Sequence, residues 1–222
     1  VGPRRRIGLR NAGAAAPGGK GSEMSSTASR SGPAKTAGAK TKAKVAGAEP
    51  RANLDYSEFI ETQGVKVPFV PSIITPKIEQ AMRNNRYEGG ECTALRAALR
   101  PGDRVLDLGA GVGLLSTLAG SIDGIERVTA IEANPDLIAL IRETHRVNGV
   151  TGVDLRNGVV SAGAGAAVSF YLRRDFWASS VEPGSRPYDR VASLPNIAIT
   201  DLIAEVKPTV IICDIEGAEL DL

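Results

Sequence analysis

The stretch that decides the fold reads Val105-Leu106-Asp107-Leu108-Gly109-Ala110-Gly111-Val112-Gly113-Leu114. Its first residues predict a short apolar strand of the kind that is buried in a parallel sheet. The glycines that follow let the backbone turn sharply and approach a ligand closely, and an apolar helix is predicted to begin at Leu114. A strand, a glycine loop and a helix in this order predict an α/β sheet with its ligand crevice beyond the carboxyl ends of the strands.

The same alternation of strands and helices continues towards the C-terminus. Further β segments are predicted at residues 127–131, 153–156, 167–172 and 209–213, the third of them as a hairpin arm. Helices are predicted at residues 114–121, 134–147 and 199–205. Successive strand–helix–strand units imply right-handed crossovers. The fold class is therefore predicted to be α/β, with a Rossmann-like, doubly wound, mostly parallel sheet and flanking helices.

The residues before the glycine loop are predicted to form a helical lead-in over residues 52–100. An amphipathic helix is expected at residues 54–63, followed by an extended segment with three prolines. Thr75-Pro76 is typical of an N-cap followed by proline at the first helical position. A second helix is expected at residues 91–99, and residues 101–222 then form the α/β domain.

Charge is divided unevenly along the chain, whose formal net charge is +2. Residues 1–51 hold 11 of the 27 Lys and Arg and 2 of the 25 Asp and Glu, so that the other residues are acidic. This basic tail has little to bury and is expected to be disordered. The sequence pI of about 8.6 comes from the tail, so nucleic acid is not expected as a partner of the folded part.

Both ends of the sequence give further expectations. Translation is expected to start at Met24, and the stop at Leu222, soon after a predicted strand, indicates a domain that is incomplete at its C-terminus. No apolar run approaches the roughly 18 residues that a membrane span needs, so no membrane partner is expected. The tail lacks the apolar stretch of a signal peptide, which favours a cytoplasmic location. Cys92, Cys213 and one histidine match no metal spacing, so no metal site is expected.

Two classes of ligand compete for the glycine loop. A dinucleotide fold needs G-x-G-x-x-G/A, but Leu114 stands at the third glycine position. The carboxylate of Asp107 would repel a pyrophosphate and favour S-adenosylmethionine, which carries a cationic sulfonium and a cationic amino group. Glu132, at the end of the next strand, can accept both ribose hydroxyls of either cofactor. An NAD(P)-dependent oxidoreductase therefore remains the alternative enzyme.

Three stretches resemble the class I S-adenosylmethionine-dependent methyltransferases, and specifically the FkbM family. They are Arg86-Tyr87-Glu88 together with residues 99–110, then Glu132-Ala133-Asn134-Pro135, and then residues 211–219 with the pattern D-x-E-G-A-E. The last is the most specific to the family. The resemblance covers about residues 80–222 and departs at Gly111, where many members have Asn.

This resemblance implies a set of site residues. Asp107 and the glycine loop would surround the methionine part of the cofactor, and Glu132 would hold the ribose. Residues 157–159 would flank the adenine, and Glu88 would either approach the amino group or lie in a solvated turn. The implied cofactor-binding residues are Glu88, Asp107, Gly109, Ala110, Gly111, Gly113, Glu132, Ala133, Asn134, Asn157, Gly158 and Val159.

Asp214 follows the last predicted strand and is the preferred general base or substrate-orienting group. A hydroxyl nucleophile benefits from such a carboxylate. Asp214 is followed by Ile-Glu-Gly rather than by the N/D-P-P-Y/F pattern of many N-methylating enzymes. O-methylation of a small molecule or glycan is therefore expected. A non-catalytic scaffold whose basic tail binds an acidic partner is the second alternative.

Several other residues have two interpretations. Phe170, Phe176, Trp177 and Ser179-Ser180 resemble a segment of the family that lines a substrate pocket, but they would also suit core packing. The Arg173-Arg174 pair either meets an anionic substrate or is solvated. His145 is expected to be a surface or packing residue, and Cys92 and Cys213 are expected to be packing residues.

Overall fold

The structure is a computed structural model that describes residues 6–7, 54–163, 165, 167–185, 187–215 and 222. Its strands are β1 (Arg6–Ile7), β2 (Phe59–Thr62), β3 (Val65–Pro68), β4 (Arg104–Leu108), β5 (Arg127–Glu132), β6 (Val153–Asn157), β7 (Val159–Ser161), β8 (Ala167–Leu172), β9 (Arg190–Ala198) and β10 (Val210–Cys213). Its α-helices are α1 (Pro76–Arg83), α2 (Gly89–Ala98), α3 (Leu114–Gly120), α4 (Ile138–Val147) and α5 (Ile199–Val206).

A five-stranded parallel sheet forms the centre of the fold, in the order β1-β10-β4-β5-β6. Val105 of β4 pairs with Val210 of β10 on one side and with Val128 of β5 on the other. The strands that were expected to be parallel are therefore parallel. Strand β4 lies between β5, the next strand along the chain, and β10, the last one. This order brings the carboxyl ends of β4, β5 and β10 to one edge of the sheet.

Side chains of the central strands alternate between two apolar faces. On one face Val105 and Val128 pack in a core with residues of α1 to α4. On the other face Leu106 and Leu108 pack against Leu202 and other residues of α5. Helices on both faces explain why these strands are apolar throughout rather than alternating with polar residues. The prediction of a doubly wound α/β sheet is confirmed.

A second, three-stranded sheet was not predicted as a unit. Its order is β7-β9-β8, with β9 parallel to β7 and antiparallel to β8. The predicted hairpin arm at residues 167–172 is β8 and is confirmed. Strands β7 and β9 were not predicted from the sequence. They lie beside the carboxyl edge of the central sheet, where β7 contacts β5.

The helix predicted at residues 54–63 is wrong. Residues in this stretch form the hairpin β2–β3, in which Ile60 and Thr62 are buried and Phe59 and Glu61 are exposed. Such alternation is the period of a strand and not that of a helix. Gln63 and Gly64 both have positive φ, as the favoured two-residue hairpin turn requires. The two helices expected later in the lead-in are confirmed as α1 and α2.

The ends of the sequence lie mostly outside the described residues. This applies to the expected disordered tail and to the expected start at Met24, and also to residues 216–221 near the C-terminus. Within the tail, Arg6–Ile7 forms a strand where disorder was expected, paired in parallel with β10. Such pairing satisfies backbone groups that the edge of β10 would otherwise leave open. Among the described helices, none is long and apolar enough to cross a membrane.

Candidate functional site

A cavity of about 330 Å³ lies at the carboxyl ends of β4, β5 and β10, and we call it the acidic cavity. This is the edge of the sheet at which α/β folds bind ligands. The second sheet and the segment after β8 supply its other wall. Eight of the predicted site residues line it: Glu88, Gly109, Gly111, Glu132, Ala133, Gly158, Val159 and Asp214.

Gly109 is required by the close approach of two chain segments. Its φ is +85°, and a Cβ at this position would overlap the carbonyl oxygen of Asp214. The Asp214 amide also donates a hydrogen bond of 3.0 Å to the Leu108 carbonyl, so β4 and β10 remain in contact beyond their paired residues. The glycine therefore lets the end of β10 reach the cavity floor.

Gly111 leaves room for side chains that lie across the loop. Its φ is +57°, and an added Cβ would lie 3.3 Å from the Tyr87 hydroxyl and 3.6 Å from Glu88 Oε1. Gly113 and Ala110 do not line the cavity. At Gly113 a Cβ would come within 2.9 Å of Ile141, so this glycine serves the packing of α3 against α4.

Glu132 ties the glycine loop to the end of β5. Its Oε2 accepts a 2.8 Å hydrogen bond from the Gly111 amide, and its Oε1 accepts one of 2.7 Å from the Asn134 amide. The side chain is buried, and burial raises the pKa of Glu132 to about 7 against the lowering effect of these amides. Removing a carboxylate from water disfavours its charged form, so the group would gain from a cationic or hydrogen-bonding ligand.

Asp107 is a buried carboxyl group without a hydrogen-bond partner among the described residues. This holds for both of its oxygens, and the residue is only 1% exposed. Burial first, and then the charge of Glu132, raise the pKa of Asp107 to about 7. The hydroxyl and the backbone amide of Ser116 oppose this rise in the pKa, and the same hydroxyl contacts His145 Nε2 at 3.1 Å. Most buried polar atoms in proteins have a hydrogen-bond partner, so these two oxygens suggest that a ligand supplies one.

Glu88 enters the acidic cavity from the N-terminal flank of α2. Its backbone is left-handed at φ +47°, an uncommon conformation for a residue other than glycine. Its Oε2 is buried without a partner in the described part of the chain. Burial first, and then the charge of Asp107, raise the pKa of Glu88 well above its ordinary value. The alternative of a solvated turn does not apply, because the side chain lies in the cavity wall.

Tyr87 also lines the acidic cavity and was missed as a site residue. Burial and the neighbouring Glu88 charge raise the pKa of its hydroxyl well above the ordinary value. The Arg86-Tyr87-Glu88 triplet, which led to the prediction of Glu88, could also have predicted Tyr87. An aromatic residue beside a predicted ligand carboxylate commonly supplies the apolar part of the same wall.

The predicted asparagines act behind the wall rather than in it. Asn157 Nδ2 donates to the carbonyl oxygens of Glu132 and Ala133, at 2.8 and 3.0 Å. Asn134 Oδ1 accepts from the Asp136 amide at 3.0 Å. Neither residue lines the acidic cavity, but both fix the turn after β5 that presents Glu132. Their contribution is therefore to position a neighbour.

Carboxyl groups from four elements converge at this edge of the sheet, those of Glu88, Glu132 and Asp214 in the wall of the acidic cavity and that of Asp107 outside its lining. Asp214, half-buried at the end of β10, adds to the charges that raise the pKa of Asp107 and Glu88. No Lys or Arg occurs among the described residues that line the acidic cavity. Within the same described part no cluster of His, Cys, Asp and Glu could hold a metal ion. Chemically, this arrangement stabilises an organic cation and disfavours a phosphate.

The opposite wall of the acidic cavity is apolar. Phe170 of β8 is 8% exposed and packs in the core of the second sheet, while Phe176, Trp177 and Val181 come from the segment after β8. Ser179 and Ser180 line the cavity beside them. The same residues therefore pack against the core and line the acidic cavity, while their contact with a substrate stays a prediction.

His145, Cys92 and Cys213 do not line the acidic cavity. His145 is buried between α4 and α3, and burial lowers its pKa to about 4. It is therefore a packing residue rather than a surface one. Cys92 is fully buried in α2, while Cys213 is half-buried.

Comparison with known proteins gives only partial overlaps. No family model matches the chain, and no curated protein does. Trm5b of Pyrococcus abyssi aligns over 45% of this chain and 29% of its own, at 23% identity and a TM-score of 0.33. A candidate transferase from Pyrococcus horikoshii aligns over 47% and 42%, at 20% identity and 0.34. A variant of MtNAS, in complex with S-adenosylmethionine, aligns over 39% and 36%, at 28% identity and 0.29. This chain therefore spans less than half of each of these proteins.

Proposed function

We propose that the acidic cavity binds S-adenosylmethionine and that the protein is a methyltransferase. The observation that carries the proposal is a set of buried carboxyl oxygens without hydrogen-bond partners among the described residues. One belongs to Glu88, in the wall of a cavity whose described lining holds no Lys or Arg, and two belong to Asp107, which does not line the cavity but whose charge acts on Glu88. A buried charge normally has a counter-charge or a hydrogen-bond donor. A ligand with a sulfonium and an ammonium group would supply both.

The residues of the cavity fit the parts of this cofactor. Asp107 and Glu88 would face its cationic methionine end, which approaches over Gly109 and Gly111. Each Glu132 oxygen accepts one amide and keeps a lone pair for a ribose hydroxyl. Gly158 and Val159 lie in the wall after β6, where adenine would rest.

Asp214 is the residue that we assign to proton removal. When bound, the cofactor would supply a methyl group whose bond to sulfur breaks with the electron pair left on sulfur. The acceptor hydroxyl would bond to that carbon and lose its proton to the Asp214 carboxylate. Holding the hydroxyl in line with the methyl group is the larger part of the task, and proton removal adds a factor of about 10² to 10⁴.

O-methylation and membership of the FkbM family are the finer part of this proposal. The proposal is supported by Asp214 and Ile215, the first two residues of the D-x-E-G-A-E pattern, which both line the acidic cavity. The rest of that signature, residues 216–219, lies outside the described residues. A hydroxyl acceptor suits a carboxylate base, whereas no aromatic residue follows Asp214 directly to stack on a nucleobase.

Calorimetry with three ligands tests the cofactor. We expect S-adenosylmethionine and S-adenosylhomocysteine to bind, and NADH not to bind, because its pyrophosphate would meet several carboxylates and none of the described residues in the cavity lining is basic. S-adenosylmethionine should bind more tightly than S-adenosylhomocysteine if the sulfonium charge is used. Binding of NADH alone would overturn the proposal in favour of the oxidoreductase.

Replacement of Asp214 by Asn tests the proposed base. Turnover should fall by a factor of about 10² to 10⁴, because the amide cannot take the proton, while affinity for S-adenosylhomocysteine stays nearly unchanged. Asp201→Asn, an exposed carboxylate in the first turn of α5, is the control. Normal turnover by Asp214→Asn would remove the general-base role and leave the cofactor assignment intact.

A further inference from the structure

A second cavity adjoins the acidic cavity, and we call it the Arg173 cavity. Its volume is about 360 Å³, and its wall includes Arg173, Gly184 and Ser185. Three residues, Trp177, Ser179 and Ser180, line both cavities. A molecule that occupies the Arg173 cavity would therefore reach the edge of the acidic cavity.

Arg173 is a half-buried cation that forms no ion pair with a carboxylate of the described residues. Its Nη1 donates to the carbonyl oxygens of Ala178 and Tyr171 at 2.9 and 3.2 Å, and its Nη2 donates to that of Pro183 at 2.6 Å. These acceptors are neutral, and no carboxylate of the described residues forms an ion pair with Arg173. Neutral carbonyls hold the guanidinium in place but do not cancel its charge. A full positive charge is thus fixed in the cavity wall.

Hydrogen-bond donors accompany this charge. Ser179 is buried, and its Oγ accepts a 3.0 Å bond from the Arg173 amide, which leaves its hydroxyl proton without an acceptor in the described part of the chain. The side chain of Ser185 is a second hydroxyl in the wall. Arg173 Nη2 lies near Gly184, since a Cβ added at Gly184 would be 3.8 Å from it. A cation and hydroxyl donors around one cavity are the groups that recognise a carboxylate or a phosphate.

We propose that the Arg173 cavity binds an anionic group of the methyl acceptor, either a carboxylate or a phosphate ester. This inference rests on the proposed function, which it deepens by naming the substrate class. The two cavities have opposite charge, so each would admit one end of such an acceptor. The anionic end goes to Arg173, because the acidic cavity repels it, and the hydroxyl end extends past Trp177 towards Asp214. The charge arrangement thereby selects both the acceptor and its orientation.

Binding of matched acid and amide probes to the full chain tests the site. The probes are 4-hydroxyphenylacetate, its uncharged amide, and 4-hydroxyphenyl phosphate, each titrated with S-adenosylhomocysteine present and absent. One charged hydrogen-bonded contact predicts that the acid binds about tenfold or more tightly than the amide. Preference for the phosphate over the acid would assign the site to phosphate esters, and the reverse would assign it to carboxylates. Equal affinity for all three probes would overturn the inference.

Variants distinguish anion binding by Arg173 from a purely structural role of its hydrogen bonds to the chain. Arg173→Gln should abolish the preference for the acid over the amide, whereas Arg174→Gln should keep it, because Arg174 is exposed and bonds only to the carbonyl oxygens of Ser72 and Pro71 among the described residues. Arg173→Lys, which retains the charge, should restore part of the preference. If Arg173→Gln does not fold, Ser179→Ala, which removes one hydroxyl donor, should lower acid affinity without changing amide affinity.

Two failures remain distinguishable. If the native chain binds S-adenosylhomocysteine and Arg173→Gln keeps the preference for the acid, the Arg173 cavity is not the anion site and the proposed function stands. If the native chain binds the acid but neither S-adenosylmethionine nor S-adenosylhomocysteine, the proposed function is overturned. The proposal that the bound anion belongs to a methyl acceptor is then overturned as well.

Discussion

At the scale of single residues, Asp107 and Glu132 show how two neighbouring buried carboxyl groups differ. Glu132 accepts two amides, so its charge is partly stabilised by the fold itself. Both oxygens of Asp107 lack a hydrogen-bond partner among the described residues, and the residue does not line the acidic cavity. We therefore expect a mainly structural role for Glu132 and a mainly ligand-dependent role for Asp107.

Asp107→Asn should separate cofactor binding from folding. Affinity for S-adenosylmethionine should fall by about 1–3 kcal/mol, because a charged hydrogen-bond partner is lost. The ligand-free protein should lose no stability at pH 8, since the charge that burial disfavours is gone. Calorimetry and urea unfolding measure the two quantities. Asp123→Asn, at an exposed carboxylate outside the cavity, is the control and should change neither. A variant that binds with native affinity would show that Asp107 does not contact the cofactor.

Gly109→Ala should lower the free energy of unfolding more than Gly102→Ala does. The two glycines have nearly the same φ, +85° and +86°, so the conformational cost of adding a side chain is shared. Only at Gly109 would the new Cβ overlap a carbonyl oxygen, that of Asp214; at Gly102 it would meet nothing within 4 Å. We expect about 1 kcal/mol at Gly102 and about 1–3 kcal/mol more at Gly109. Equal losses in urea unfolding would mean that β10 does not approach the glycine loop.

At the scale of elements, the contact between α3 and α4 can be observed through one side chain. His145 is the single histidine of the chain, so its imidazole gives a unique proton NMR signal. Burial lowers its pKa to about 4, and its Nε2 lies 3.1 Å from Ser116 Oγ. We therefore expect the signal to titrate near pH 4. A midpoint near 6.5, the ordinary value, would show that the two helices separate in solution.

The elements that the sequence predicted well are those whose residues carry a strong local signal. The apolar run of β4, the glycines after it and the proline at the start of α1 each restrict the backbone by themselves. The hairpin β2–β3 was missed, although its Gln63-Gly64 turn and its period-two pattern were present in the sequence. The mixture of apolar and acidic residues at positions 54–63 also suits one face of a helix, and the register of a hairpin depends on a partner strand that a local pattern does not show.

Strand β9 shows why part of the site lay beyond sequence reasoning. It contains Pro195 and Asn196, which are depleted in strands, and it is stabilised by pairing with β7 and β8 on either side. Tertiary pairing therefore outweighs local propensity here. The cavity wall formed by Trp177 and Ser179 depends on this second sheet, so residue patterns alone could place the carboxylates but not the surface that faces them.

At the scale of the whole molecule, stability should depend on pH in an unusual direction. Asp107 and Glu132 have pKa values raised to about 7 from ordinary values of 3.8 and 4.5. From about pH 4.5 to 7 the folded chain keeps protons that the unfolded chain has released, so stability falls as the pH rises. The lowered pKa of His145, about 4, acts in the opposite direction up to about pH 6.5. Glu88, with its raised pKa, adds to the first effect.

We therefore expect the ligand-free protein to be less stable at pH 8 than at pH 5.5. The free energy of unfolding should fall by about 1 kcal/mol or more for each pH unit between pH 5.5 and pH 7. Urea unfolding at several pH values measures this. Affinity for S-adenosylmethionine should rise over about pH 6 to 8, by about tenfold for each carboxyl group that must ionise. Constant stability and constant affinity over this range would mean that these groups are already ionised in the free protein.

Arg104 and Thr209, which are bonded to each other where β4 and β10 begin, are separated by 105 positions in the chain. During synthesis the glycine loop therefore emerges from the ribosome long before the strand that completes the cavity floor. Closing so long a loop is slow compared with forming local helices. The nascent protein should pass through a stage in which its half-built sheet exposes an apolar edge, and it would then be most exposed to aggregation and to capture by chaperones.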